Sequence, residues 1–203
     1  EKTKVAKKMS YYSGISFDDI ISHNLDLPTD FFWKELVRDE SGYTIGRLDS
    51  RYLGLDKMEA GSRPDSNAEL DSWEHSFTPA INYYMKNELN FSTDIKYNVF
   101  GPVHPWNREN DNTRDNLRQA MAQNPYLKVL IQSGYYDGAT TYFQGKYTMW
   151  QTDPSGKMND RFTFKGYRSG HMMYLRAEDL ESSNQDLRNF IINSLTNGKS
   201  AKY

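Results

Sequence analysis

The chain has 203 residues, enough to bury a core, and carries 25 Lys plus Arg against 27 Asp plus Glu. That balance leaves no basic excess for a phosphate backbone and argues against nucleic-acid binding. Cysteine is absent, which excludes a disulfide frame or a thiolate metal site within the chain, and no apolar run of about 18 residues exists to make a transmembrane helix.

Only 37% of residues are hydrophobic and the mean hydropathy is −0.85, while fifteen tyrosines carry much of the apolar surface on amphipathic rings. Such a composition suits a surface-rich lid or cleft wall. Glu1 is not an initiator Met and no apolar h-region follows the early lysines, so an excised or processed piece is expected. Residues 5–12 predict a short helix ended by Gly14. Ser16 caps a second, with Asp19 at the capping-box position and Phe17, Ile20 and Ile21 on one face. Thr29 or Asp30 starts a third, with Phe32, Leu36, Trp33 and Val37 as its apolar stripe and Gly42 as its stop. These three helices read as a cap.

Residues 43–48 have strand character, and residues 54–74, rich in Gly, Ser, Asp and Asn without periodicity, read as a long loop of the kind that often forms a lid. Thr78 and Pro79 then predict a helix start, followed by Ile81, Tyr84, Met85 and Leu89 at helical spacing. The prolines of residues 100–106 forbid a regular element. Asn112 or Thr113 opens the next helix, which turns Leu117 and Met121 inward and ends before Asn124-Pro125.

From here the pattern changes to strand, helix, strand. Residues 128–134 are a short apolar run stopped by glycine, and Tyr135-Tyr136-Asp137-Gly138 places an aspartate just past the end of that strand. Residues 139–151 read as a helix, 161–167 as a second strand, and Ser169-Gly170-His171 sets a histidine beyond it. Parallel strands joined by a helix bring the acid and the imidazole to one sheet edge, where open α/β sheets keep their chemistry. Such a pair can activate a hydroxyl: the carboxylate holds one ring nitrogen as N–H so that the other accepts a proton, at a separation of about 2.6–3.2 Å. The plainer reading of the same residues is an aspartate bonding backbone N–H groups in a Tyr-Asp-Gly turn and a histidine bonding its own loop. A last helix over 178–195 packs Leu180, Leu187, Phe190, Ile191 and Leu195 on the sheet, and Gly198 stops it.

Gly134-Tyr135-Tyr136-Asp137-Gly138-Ala139-Thr140 and Gly170-His171-Met172-Met173-Tyr174 resemble the acid and histidine motifs of the serine carboxypeptidase-like peptidases, family S10, in a bacterial branch. Tyr12-Ser13-Gly14-Ile15-Ser16, Gly46-Arg47-Leu48-Asp49-Ser50-Arg51, Ala80-Ile81-Asn82-Tyr83-Tyr84 and Asn124-Pro125-Tyr126-Leu127-Lys128 resemble further segments of that branch, in the same order. The resemblance implies the C-terminal portion of an α/β-hydrolase: a helical cap over residues 1–125, then the last parallel strands with flanking helices over residues 126–203. It implies Asp137 and His171 as catalytic residues, Met172 as a residue lining the cleft, and Arg47 or Arg51 as a cation facing the substrate carboxylate, although in isolation residues 46–51 are a charged turn whose Arg and Asp pair locally.

His23, His75 and His104 lie in unrelated segments without a second ligand at metal spacing, so they read as structural or solvent-facing, and neither metal nor cofactor is expected. No serine stands in a Gly-x-Ser-x-Gly frame. The family's chain order of Ser, Asp, His puts the nucleophile upstream, together with the oxyanion donor beside it. The implied partners are a peptide substrate and the serine-bearing segment of the same protein, with a homo-oligomer as another way to cover the open sheet edge. The implied activity is release of C-terminal amino acids. Acyl transfer to an alcohol on the same fold is one alternative, and a non-catalytic remnant that binds a peptide or partner through its tyrosine-rich cap is another. Family resemblance alone favours a periplasmic or secreted location.

Overall fold

A computed structural model of the chain describes residues 1–99, 101–102, 105–109, 113–196 and 198, so the readings of His104 and Asn112 fall outside the described residues. It mixes helices with two small two-stranded sheets, an α/β composition. The residues gather into two compact units, Glu1–Trp106 and Asn107–Tyr203.

The first unit begins with α1 (Lys2–Ser13) and α2 (Phe17–Ser22). Gly14 ends α1 at φ 80°, a left-handed conformation that glycine adopts without steric cost, and its N–H caps Ser10 O. Ser16 Oγ accepts Asp19 N–H at 3.1 Å, the first bond of the capping box, while Asp19 Oδ2 accepts the Ser16 hydroxyl at 2.6 Å in place of the backbone N–H that a full box would engage. Ala6, Ile15 and Ile20 form the buried centre, against which Phe31, Phe32 and Leu36 pack. The expected third helix is broken into α3 (Thr29–Glu35) and α4 (Arg38–Ser41). Pro28 rather than Thr29 or Asp30 stands at the N-cap, because its fixed φ suits the entry and its missing N–H is not needed there. Trp33 and Val37 are half-buried, and the fully buried residue of α3 is Lys34.

Lys34 explains why residues 54–67 are ordered despite their loop composition. Its ammonium pairs with Asp56 and donates to Met58 O at 2.7 Å, while Asp56 Oδ1 accepts Asp65 N–H at 2.9 Å and Asp65 Oδ2 accepts Lys57 N–H at 2.7 Å. β1 (Thr44–Ile45) and β2 (Leu53–Gly54) pair antiparallel around the turn between them. α5 (Ala68–Tyr83) then starts ten residues before Thr78, inside the expected loop, with Pro79 in its interior, and runs into a π-helical turn over Tyr84–Glu88. Ala68, Glu69 and Trp73 are buried on one face of this helix. That tertiary burial outweighs the single backbone bond that Pro79 cannot donate.

The second unit opens with α6 (Arg114–Gln123), whose Met121 is fully buried and whose Met121 O accepts Arg161 Nη1 at 2.8 Å. β3 (Val129–Gly134) and β4 (Phe162–Tyr167) run parallel in register from Val129↔Phe162 to Gly134↔Tyr167, joined through α7 (Tyr142–Thr152). α8 (Ala177–Ser194) packs on both strands. A polar chain ties the three: Gln132 Nε2 donates to Tyr167 Oη at 2.8 Å, Tyr167 Oη donates to Asp186 Oδ2 at 3.0 Å, and Lys165 pairs with Asp186 at 2.8 Å. Lys165 holds the Asp186 carboxyl below its usual range.

Burial pushes the Tyr167 phenol up to about 12, and Asp186 adds to the rise. In the unfolded chain the phenol ionises near its ordinary value, so the stability it contributes is complete below that value and is lost as pH rises towards 12. Unfolding followed by denaturant titration should therefore show a loss on the order of 2 kcal/mol between pH ~10 and ~12. Tyr167→Phe should flatten that limb. An unchanged alkaline slope in the variant would show that the phenol is not the titrating group.

Candidate active site

Both candidate catalytic residues sit just beyond the C-terminal ends of β3 and β4, and main-chain bonds fasten their two loops together. Tyr135 N–H donates to Tyr167 O at 2.9 Å and Tyr136 N–H to Ser169 O at 3.0 Å, so the acid turn is stitched to the histidine loop before either side chain acts. Gly134 lies where these loops cross. A β-carbon there would fall well inside contact distance of Ser169 O and Gly170 O, both of them backbone atoms with little freedom to retreat.

Within this frame His171 Nδ1–H donates to Asp137 Oδ2 at 2.8 Å, inside the range expected of an Asp-His pair. The carboxylate can only accept, which places the proton on Nδ1. Asp137 Oδ1 accepts Ala139 N–H at 2.9 Å and Thr140 N–H at 2.8 Å. The two readings of Asp137 thus hold together, since one carboxyl oxygen closes the turn and the other orients the imidazole. The Asp137 side chain is 6% exposed and that of His171 46% exposed. A buried acid therefore holds an imidazole whose Nε2 makes no hydrogen bond to the described residues. Neutral imidazole with Nδ1 occupied by a carboxylate and Nε2 free is set up to accept a proton.

The other sequence-derived residues fall as follows. Met172 is half-buried and precedes a 3₁₀ turn, Met173–Leu175, with its carbonyl accepting Leu175 N–H at 3.0 Å. Arg51 is engaged with buried Asp49, Nε to Oδ1 at 2.9 Å and Nη2 to Oδ2 at 2.6 Å. Arg47 is exposed, with its guanidinium over the Trp33 ring at 5.9 Å from the centroid. Both arginines belong to the first unit, and Asp137, His171 and Met172 to the second. Among the described residues no group of three or more His, Asp or Glu side chains is arranged to hold a metal ion, and no helix is long and apolar enough to cross a membrane.

Sequence reasoning missed Gly134, because a glycine ending a strand looks like an ordinary stop, and its opposing carbonyls lie 35 and 36 residues away. Gly134→Ala should cost about 1–3 kcal/mol by overpacking, and should displace the downfield Nδ1–H proton signal of His171 in NMR spectra. Gly145→Ala is the control. A β-carbon at that helical position meets Ile131 Cγ2 at an ordinary 3.6 Å, so the change should leave the signal in place and raise stability by roughly 0.5–1 kcal/mol. A Gly134→Ala protein with wild-type stability and an unmoved signal would dismiss the steric argument.

No protein-family model matches the chain, and neither a curated protein nor a solved structure matches it.

Proposed function

We propose that the chain is the cap and C-terminal core portion of a serine carboxypeptidase-like α/β-hydrolase, acting through Asp137, His171 and a serine supplied by a segment outside these 203 residues. The observation that carries the reading is the 2.8 Å bond from His171 Nδ1 to a buried carboxylate, with Nε2 left free at the ends of two parallel strands. His171 Nε2 takes the serine proton as the hydroxyl attacks the scissile carbonyl, and passes it to the departing amine as the peptide bond breaks. A water molecule then attacks the acyl-serine while Nε2 accepts its proton, and the acid leaves with serine restored. Asp137 stabilises the imidazolium formed in each half-reaction. With an alcohol in place of that water the same steps give an ester, which is the acyltransferase form of the proposal.

A second reading, a non-catalytic peptide- or partner-binding module, draws support from exposed aromatic side chains: Tyr11 and Tyr12 on α1, and Phe143, Tyr147 and Trp150 at helical spacing on α7. The experiment that separates them is assay of a blocked dipeptide with the chain joined to a Gly-x-Ser-x-Gly segment. Release of the C-terminal amino acid supports the hydrolase, and ester formation with added alcohol supports the transferase. Binding without turnover in a folded assembly would leave only the module.

A further inference from the structure

The sequence pattern lays Leu180, Leu187, Phe190, Ile191 and Leu195 on the sheet, but α8 is turned differently. Phe190 is half-buried, whereas Leu180 is 44% exposed, Leu187 43%, Ile191 54% and Leu195 61%. Polar groups hold the inward face instead. Ser183 O accepts Gln132 Nε2 at 3.1 Å, and Asp186 takes both the Lys165 ammonium and the Tyr167 hydroxyl. Those bonds set the rotation of the helix and leave its aliphatic residues on a strip open to solvent.

Leu180, Asn184, Leu187 and Ile191 follow one another in steps of four, three and four residues, the spacing of a seam between two packed helices. Asn184 is exposed, and its side chain makes no hydrogen bond with the described residues. Glu181 and Arg188 stand one heptad apart along one flank of the seam; both are exposed and neither forms an ion pair with the described residues. The opposite flank, Ser183 and Phe190, is half-buried against the unit itself.

We propose that this strip is an isologous interface, occupied by α8 of a second copy of this chain running antiparallel across a two-fold axis near Asn184. A two-fold axis perpendicular to the helices returns the Glu181 and Arg188 flank to the same side with its order reversed. Each glutamate then lies opposite an arginine of the other copy, and the match is made twice. Leu180 of one copy enters the space between Leu187 and Ile191 of the other. The two Asn184 amides meet at the axis, where each can donate to the oxygen of its counterpart and so fix the register. Parallel helices would set Glu181 against the covered flank and leave both ionic matches unmade. The interface rests on α8 alone and is independent of the hydrolase reading. Three helical turns bury less than the roughly 1,600 Å² of a standard interface, so a weak dimer is expected, half-dissociated on the order of 10–100 μM.

Sedimentation equilibrium of the chain from ~5 to ~500 μM should show reversible dimerisation. Leu187→Glu should weaken it by roughly 30-fold or more. Arg188→Glu, which sets like charges opposite each other on both sides of the axis, should weaken it roughly 5- to 30-fold, as should Glu181→Arg, and the double exchange should recover wild-type affinity to within about 3-fold. Far-UV circular dichroism and the urea midpoint confirm that each variant is folded. Should Leu187→Glu fail to fold, the charge exchanges, which replace one exposed charge by another, decide alone. A monomer at ~500 μM, a dimer indifferent to a folded Leu187→Glu, single exchanges without effect, or a double exchange without recovery would each overturn the proposal. So would displacement of the second copy by a serine-bearing segment, since the face would then belong to that segment.

Discussion

On the hydrolase reading, the protein reconstituted with a serine-bearing segment should lose roughly 10³–10⁶-fold in turnover on His171→Ala, since Nε2 is then the acceptor of the serine proton. Asp137→Asn should cost on the order of 10⁴-fold. The amide oxygen of that variant can still accept Ala139 and Thr140 N–H, so the turn should survive, but the carboxylate that fixes the imidazole tautomer is gone. Asp137→Asn thus separates the role of Asp137 in folding from its role in orientation. Labelling with a serine-directed fluorophosphonate provides the parallel readout. The 203 residues alone should not label, because they contain no Gly-x-Ser-x-Gly serine and no oxyanion donor beside one. Labelling of the isolated chain would reveal an overlooked nucleophile, and a His171→Ala enzyme of normal turnover would end the triad reading.

The largest stability effect is expected at Lys34, in the first unit. Lys34 and Asp56 pair with side chains 2% and 4% exposed, so Lys34→Ala leaves a carboxylate buried without its cation. The expected loss is about 3–5 kcal/mol, read as a lower urea midpoint. Replacing both partners, as in Lys34→Met with Asp56→Leu, should recover part of that loss by removing the stranded charge. Recovery should be incomplete, because Asp65 N–H and Met58 O then lose their partners. A Lys34→Ala protein within about 1 kcal/mol of wild type would mean that water reaches Asp56 and the pair is not sealed.

The elements that were legible in the sequence are those specified by near neighbours. The Ser16 capping box, the glycine stops at Gly14 and Gly42, and the strand–helix–strand run from Val129 to Tyr167 depend on local hydrogen bonding, backbone freedom and hydrophobic pattern. The Asp137 turn was legible for the same reason, as Asp137 Oδ1 accepts the N–H groups of its near neighbours Ala139 and Thr140. α5 was misplaced because Pro79 is a strong local signal, while the burial that starts the helix at Ala68 involves residues outside the local window.

By itself, then, the amino-acid sequence determined which residue types stand at the ends of β3 and β4, and that no cysteine chemistry or elbow serine is present. Only the tertiary structure decided that Asp137 and His171, 34 residues apart, meet at 2.8 Å, that Arg51 is engaged by Asp49 while Arg47 forms no ion pair with the described residues, and that Lys34 is buried. The physical reason is range. Caps, turns and periodicity act over about four residues, whereas a lysine can be buried, or a glycine required, only because of atoms that the fold brings in from distant parts of the chain.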